Sequence, residues 1–173
     1  MRHTFEASQW VPYPPAQVFA FFSDPRNLPP LMPAWQKARI EHAFLAAPPL
    51  SLHQWNGTTR TAGSGSVLTI TFRAVPFVPI RLRWVAVISE FQWNDHFCDF
   101  QKSGPLAYWH HCHHISGESR DGVPGTSITD KVTYALPLGP LGDMANGVAI
   151  KRQMKSTFAY RQRQVLKLLA AKS

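Results

Sequence analysis

Apolar and polar positions alternate most regularly in the middle and second half of the chain. Over 66–74, Leu68, Ile70 and Phe72 alternate with Thr69, Thr71 and Arg73. That period of two belongs to a strand with one buried face. Over 80–91, Leu82, Trp84 and Ile88 share one face, opposite Arg81 and Arg83. Strand patterns follow over 95–105 and 106–116, and the composition of 117–125 reads as a turn. The last strand, 126–136, puts Ile128, Asp130, Val132, Tyr134 and Leu136 on one side and Ser127, Thr129, Lys131 and Thr133 on the other.

The first part of the chain reads differently. A short strand over 2–11 precedes Pro14 and Pro15, which suit a helix start, with Val18, Phe19, Phe21 and Phe22 as its apolar face. Asp24-Pro25 ends that helix and opens a second, stopped by Pro29, Pro30 and Pro33. Another strand is expected over 36–44. The Pro-, Gly-, Ser- and Thr-rich stretch 45–65 is expected to be a long, mobile loop. After the final strand, Asp143 is placed to cap one long helix reaching Ala171, with Met144, Val148, Met154, Phe158, Val165 and Leu169 as its stripe. The order is one strand, two short helices, about six strands in consecutive hairpins, and a long amphipathic helix. A meander of that size curls, and its concave face needs that helix as a cover. The expected class is α+β, in one domain spanning 1–173.

Composition narrows the function. With 173 residues, 45% of them hydrophobic and 16% charged, the chain is globular in type. A net charge of +8 raises nucleic acid as a partner. However, Lys151, Arg152, Lys155, Arg161, Arg163, Lys167 and Lys172 cluster in the last helix, where a basic run reads as a solvated face, and no nucleic-acid motif accompanies them. No apolar run is long enough for a membrane helix, and the opening residues lack the apolar core of a leader. A cytoplasmic protein with reduced Cys98 and Cys112 is therefore expected. These two fall on adjacent strands and can approach each other, but a disulfide is disfavoured in a reducing compartment. No phosphate-cradling loop, nucleophile elbow or dinucleotide fingerprint is present, so no cofactor is expected.

Several stretches resemble the START/Bet v 1-like superfamily, also called SRPBCC or polyketide cyclase-like helix-grip proteins. "VPYPPAQVFAFFSDPRNLPPLMPAW" resembles the family's opening. "FCDFQKSGPLAYWHHCHH" resembles the stretch that bacterial ligand-binding members write as F-x-D-x-Q, G-P and W-x-H-x-H. "DKVTYALPLGPLG" and "FAYRQRQVL" resemble the segments that follow. The resemblance covers nearly the whole chain. Stretch 45–65 is longer than the pattern, and Ile115 stands where an aromatic residue belongs. The resemblance implies a helix-grip fold, with a curved antiparallel sheet of six or seven strands around a long C-terminal helix and a cavity between them. It implies no single activity, since members bind lipids, sterols or plant hormones, cyclise polyketides, or act as co-chaperones.

"WHHCHHI" then divides into two faces. Trp109, His111, His113 and Ile115 are expected to face the concave side. Tyr108, His110, Cys112 and His114 face outward. Asp99, His111 and Asp130 fall on three successive strands, so a hydrogen-bonded ladder is the favoured reading, with the carboxylates raising the histidine pKa. The same atoms, with Tyr134 supplying a hydroxyl, suit general acid-base catalysis. His111 and His113 with Asp99 or Asp130 could chelate an ion, as could His110, Cys112 and His114. Without a Cys-x-x-Cys or His-Glu-x-x-His motif, no metal is expected at either. Phe72, Trp84, Trp109, His111, His113, Tyr134 and Phe158 are the expected cavity lining. The leading expectation is binding of a small, mainly hydrophobic molecule. The alternatives are a cyclase-like enzyme using His111 or His113 with Asp99, Asp130 and Tyr134, and a basic module that docks on proteins or membrane surfaces.

Overall fold

The computed structural model describes residues 1–50, 60–137, 139 and 150–171. Seven strands form one antiparallel sheet: β1 (His3–Val11), β2 (Arg39–Phe44), β3 (Val67–Arg73), β4 (Arg81–Gln92), β5 (His96–Ser103), β6 (Tyr108–Arg120) and β7 (Val123–Ala135). Their order is β1-β7-β6-β5-β4-β3-β2, so the hairpins run consecutively from β2 to β7 and β1 adds beside the last. Helices α1 (Pro15–Ser23) and α2 (Leu28–Leu31) separate β1 from β2, and α3 (Lys151–Ala170) closes the fold. This is the helix-grip arrangement expected from the pattern. Asp143, Met144, Val148, Lys172 and the centre of the 45–65 stretch lie outside the described residues.

Helix α1 starts where proline is tolerated, with Pro15 in its first turn, and it buries Val18, Phe19 and Phe21. It ends at Asp24, whose buried carboxylate accepts from the backbone N–H of Arg26 at 3.0 Å and pairs with the Arg26 guanidinium at 2.6 Å. That cap starts a single 3-10 turn over Pro25–Asn27. Pro29 and Pro30 do not stop the next helix as expected. They lie in the first turn of α2, where no intrahelical N–H is required of them.

The β6–β7 hairpin is longer than composition suggested. Residues 117–120 and 123–125 belong to the strands, and the turn is Asp121-Gly122 alone, with φ of 52° and 78°. Two successive left-handed residues give the hairpin turn whose twist matches that of the flanking strands. Asp-Gly supplies that geometry, so the glycine and proline beyond it can remain in the ladder.

The core lies between the sheet, α1 and the C-terminal half of α3, with Val11, Phe19, Ile88, Ile115, Ile128, Val165 and Leu169 buried together. Helix α3 is fastened to β1 by side-chain amides. Gln9 Nε2 donates to the Gln162 carbonyl at 2.9 Å, and Gln162 Nε2 donates to the Ser8 carbonyl at 3.0 Å. The described ends of the 45–65 stretch are pinned rather than loose. Backbone bonds join Ala62 to Ser23, Gly63 to Ala46 and Gly65 to Ile88. Arg81 is not simply solvated, since its guanidinium donates to the Thr71 carbonyl at 2.8 Å and the Lys37 carbonyl at 3.0 Å.

Candidate functional site

A cavity of about 390 Å³ lies between the concave sheet and α3. Strand alternation builds its floor: Leu68, Ile70 and Phe72 from β3, Leu82, Trp84, Ala86 and Ile88 from β4, Phe97 and Asp99 from β5, Trp109, His111 and His113 from β6, and Tyr134 from β7. Phe22, Leu28 and Leu31 form one wall. Ile150, Met154, Phe158 and Arg161 form the roof. Phe72, Trp84, Trp109, His111, His113, Tyr134 and Phe158, the residues singled out from sequence, all line this one space. Aromatic edges and faces meet around it: Trp84 stands perpendicular to Trp109 at 5.0 Å between ring centroids, and His111 lies edge-on to Phe158 at 5.8 Å.

Register brings the polar groups together. Asp99 is paired with His111 across β5 and β6, and His113 with Asp130 across β6 and β7. His111 therefore sits between two carboxylates. Its Nε2 is 3.1 Å from Asp130 Oδ1, and its Nδ1 is 3.6 Å from Asp99 Oδ2, just beyond hydrogen-bond reach. The Nδ1 of His113 contacts the same Asp130 oxygen. Asp99 lines the cavity and accepts from the Trp109 indole N–H, whereas Asp130 is buried behind the two imidazoles.

Asp99, Asp130 and His113 differ in charge for identifiable reasons. Burial pushes the Asp99 carboxyl up from the usual carboxylate value, with His111 and the Trp109 N–H opposing it. Burial would also push Asp130 up, but the Arg161 guanidinium, His113 and His111 together hold it well below that value. His113 is pushed down to about 3, first by burial and then by His111, which together outweigh the attraction of Asp130. At His113 a neighbouring carboxylate does not raise the imidazole pKa: desolvation of the cation exceeds the gain from one buried carboxylate. The result is an ionised Asp130 and a neutral His113, beside an Asp99 carboxyl that holds its proton to higher pH than usual.

Arg161 was expected on the solvated face of the last helix. It lies instead over the Phe22 ring, 5.2 Å from the centroid, and lines the cavity. Its helical position gives the signal, since Arg161 stands three residues after buried Phe158 and four before buried Val165. Lys151, Arg152, Lys155, Arg163 and Lys167 are exposed as expected.

The outer face of β5 and β6 departs further from expectation. Cys98 and Cys112 are paired in register and joined as a disulfide. If Asp99 faces His111 in an antiparallel pair, Cys98 must face Cys112 one step away, and the two sulfurs meet. Two sets of donors converge closely enough for a metal ion: Asp99, His111 and His113 inside, and Cys98, His110 and Cys112 outside.

The sequence model of a family described as polyketide cyclase/dehydrase and lipid transport matches residues 11–159. No curated protein matches the chain. Solved structures share its fold at low identity. The protein TTHA0849 from Thermus thermophilus superposes with a TM-score of 0.67 at 16% identity, covering 99% of each chain. Norcoclaurine synthase from Thalictrum flavum gives 0.63 at 13% identity, covering 98% of this chain and 87% of its own. Ara h 8.0201 gives 0.58 at 20% identity, covering 96% of this chain and 99% of its own. Among the described residues no helix is long and apolar enough to cross a membrane.

Proposed function

The chain belongs to the polyketide cyclase/dehydrase and lipid transport family, and on that premise we propose that it binds a small, mainly hydrophobic molecule in the cavity under α3. The observation that carries this reading is the cavity itself: about 390 Å³, walled mainly by aliphatic and aromatic side chains, with Asp99, His111, His113 and Arg161 among the polar groups that reach it. Convergent polar groups in an apolar pocket fix the orientation of a ligand whose body is held by burial. Arg161, His111 and Asp99 lie near one another in that lining, so the ligand we propose has an apolar body and one carboxylate or carbonyl end. Native mass spectrometry of the gently purified protein tests the reading. A bound apolar species should be released on denaturation, and Ala86→Phe, which fills the cavity floor, should abolish it while the fold is kept. An apo spectrum that stays unchanged after incubation with long-chain carboxylic acids would overturn it.

A second reading is a cyclase-like reaction, favoured by one feature: the imidazole of His111 held between an ionised carboxylate and a protonatable carboxyl. In this reading Asp99 exchanges a proton with a carbonyl-bearing ligand, the Asp130 carboxylate holds the His111 ring in place through Nε2, and Tyr134 donates to a developing oxyanion. A linear poly-β-keto thioester should then be recovered as a cyclised product, and Asp99→Asn should end that turnover without loss of binding. Recovery of unchanged substrate would exclude it. The compartment we propose is the cytoplasm, supported by only two cysteines in 173 residues, unlike a disulfide-dense secreted scaffold. Fractionation of the source cells tests this: the protein is expected with the cytoplasmic fraction, and recovery outside that fraction would refute it.

A further inference from the structure

The convex face of the sheet holds a second group of chemically active side chains, separate from the cavity. Alternation along β5 and β6 directs Cys98 and Cys112 away from Asp99, His111 and His113. It gathers His96, His110 and His114 around the cysteine pair, with Glu90 and Lys131 at the margin. The Sγ of Cys112 is 3.9 Å from Nδ1 of His110. One donor atom from each of Cys98, His110 and Cys112 lies within 4.8 Å of the others. His96 and His114 are paired further along the same two strands, with ring centroids 5.5 Å apart.

We propose that this face is a redox-gated metal site, in which the reduced cysteines and His110 bind a thiophilic divalent cation of the zinc class. Two thiolates and an imidazole are the ligands that borderline-soft cations prefer, and the site needs no chain rearrangement to assemble them. A tetrahedral ion with metal–sulfur bonds of about 2.3 Å holds its two sulfurs about 3.8 Å apart, a separation that side-chain rotation supplies between residues paired across adjacent strands. The fourth position is completed by His114 or solvent.

The chemistry balances in two steps. A dithiol reductant gives two electrons and two protons to the Cys98–Cys112 bond, leaving two thiols and becoming a disulfide itself. The cation then displaces both thiol protons, and its two charges are cancelled by the two thiolates. A disulfide oxidant reverses the sequence: it takes the two electrons and becomes two thiolates, the Cys98 and Cys112 sulfurs join and are no longer thiolate donors, and the divalent ion is released. Strand pairing serves both states, because it places the sulfurs close enough to bond and flanks them with an imidazole that takes no part in the redox step.

Cobalt titration of the full-length chain tests this directly. The protein is reduced with a phosphine, freed of reductant without air, and titrated with Co²⁺. The reduced protein should develop a thiolate-to-cobalt charge-transfer band and the visible bands of a tetrahedral ion, both erased by Zn²⁺. The air-oxidised protein should develop neither. Cys98→Ser and Cys112→Ser should each lose the intense charge-transfer band, and His110→Ala should lose the tetrahedral bands. Absence of charge transfer in the reduced wild type would overturn the proposal without recourse to any variant. So would equal cobalt binding by the oxidised form, which would assign the ion to histidines alone or to the inner cluster.

Discussion

Replacing His113 by glutamine should flatten the acid side of the stability profile. His113 is buried against Phe97, 4.5 Å away between ring centroids, and His111, 4.0 Å away. Its folded-state pKa is about 3 against an ordinary 6.5. Between those values the unfolded chain takes up a proton that the folded protein refuses. The unfolded state then binds more protons, so stability rises with pH across the window and falls as the solution is acidified below 6.5. Each pH unit is worth about 1.4 kcal/mol, so His113 alone removes about 3 kcal/mol over roughly two pH units below the ordinary value. Glutamine keeps an N–H donor for Asp130 and has nothing to titrate. The assay is urea unfolding of both proteins at about half-unit steps from roughly pH 7.5 to 4.5, reading the difference in free energy. Contributions of the histidines that lie away from His113 cancel in that difference. So does Asp99, whose position is set by burial, His111 and Trp109 rather than by His113. Asp130 titrates below the window. Wild-type stability should fall relative to that of the variant as the pH drops, by about 3 kcal/mol in total. Parallel curves would show that His113 protonates normally in the folded state and that burial does not govern it.

Other outcomes follow from the same geometry. Phe158→Ala, at a ring 4.9 Å from Phe5 and 5% exposed, should cost about 3 kcal/mol in urea unfolding; a loss under about 1 kcal/mol would mean that α3 is not held by this contact. Gly125→Ala should lower the melting temperature through a loss of about 1–3 kcal/mol, because a Cβ there would stand 2.5 Å from the Val11 carbonyl oxygen; an unchanged melt would refute the close approach. Arg161→Met keeps the contact with Phe22 but removes the cation, so Asp130 should titrate at higher pH by carbon-detected NMR, and a long-chain carboxylate should bind more weakly while the matching alcohol does not. An unmoved Asp130 resonance would remove Arg161 from the site.

Much of this arrangement is legible because strands obey one simple period. Given the register of the hairpins that carry Asp99, His111 and Asp130, alternation puts the three on one face, and the same reasoning places Trp84, Trp109 and Tyr134 around them. Other features are harder to read. The Cys98–Cys112 bond needs the register of Asp99 with His111 carried one residue further, and compartment chemistry argues the other way. Arg161 reads as solvated by its charge, although its spacing from Phe158 and Val165 matches the buried stripe, and a guanidinium over an aromatic ring is an accepted way to bury such a charge. The neutral state of His113 needs the depth of burial, which periodicity does not contain: the pattern shows that a carboxylate is near, but not that desolvation exceeds its pull. The extent of the β6–β7 hairpin is obscured by Gly117, Pro124 and Gly125, which turns favour but which this ladder accommodates.

The open edge at β2 carries a consequence for self-association. Four of its last residues, Glu41 to Phe44, are exposed, as is Arg39, and its pairing with β3 slips between Ile40 and His42. A second chain adding a strand there would meet a bulged backbone whose outer groups, unpaired among the described residues, are out of step. It would also have to desolvate Arg39, Glu41 and His42. Edge-to-edge growth, the ordinary route by which an exposed antiparallel sheet turns into a fibre, is thereby blocked at the strand where this sheet would otherwise invite it. Variants that remove the slip, or replace Glu41 with an apolar β-branched residue, are where aggregation of this protein would begin.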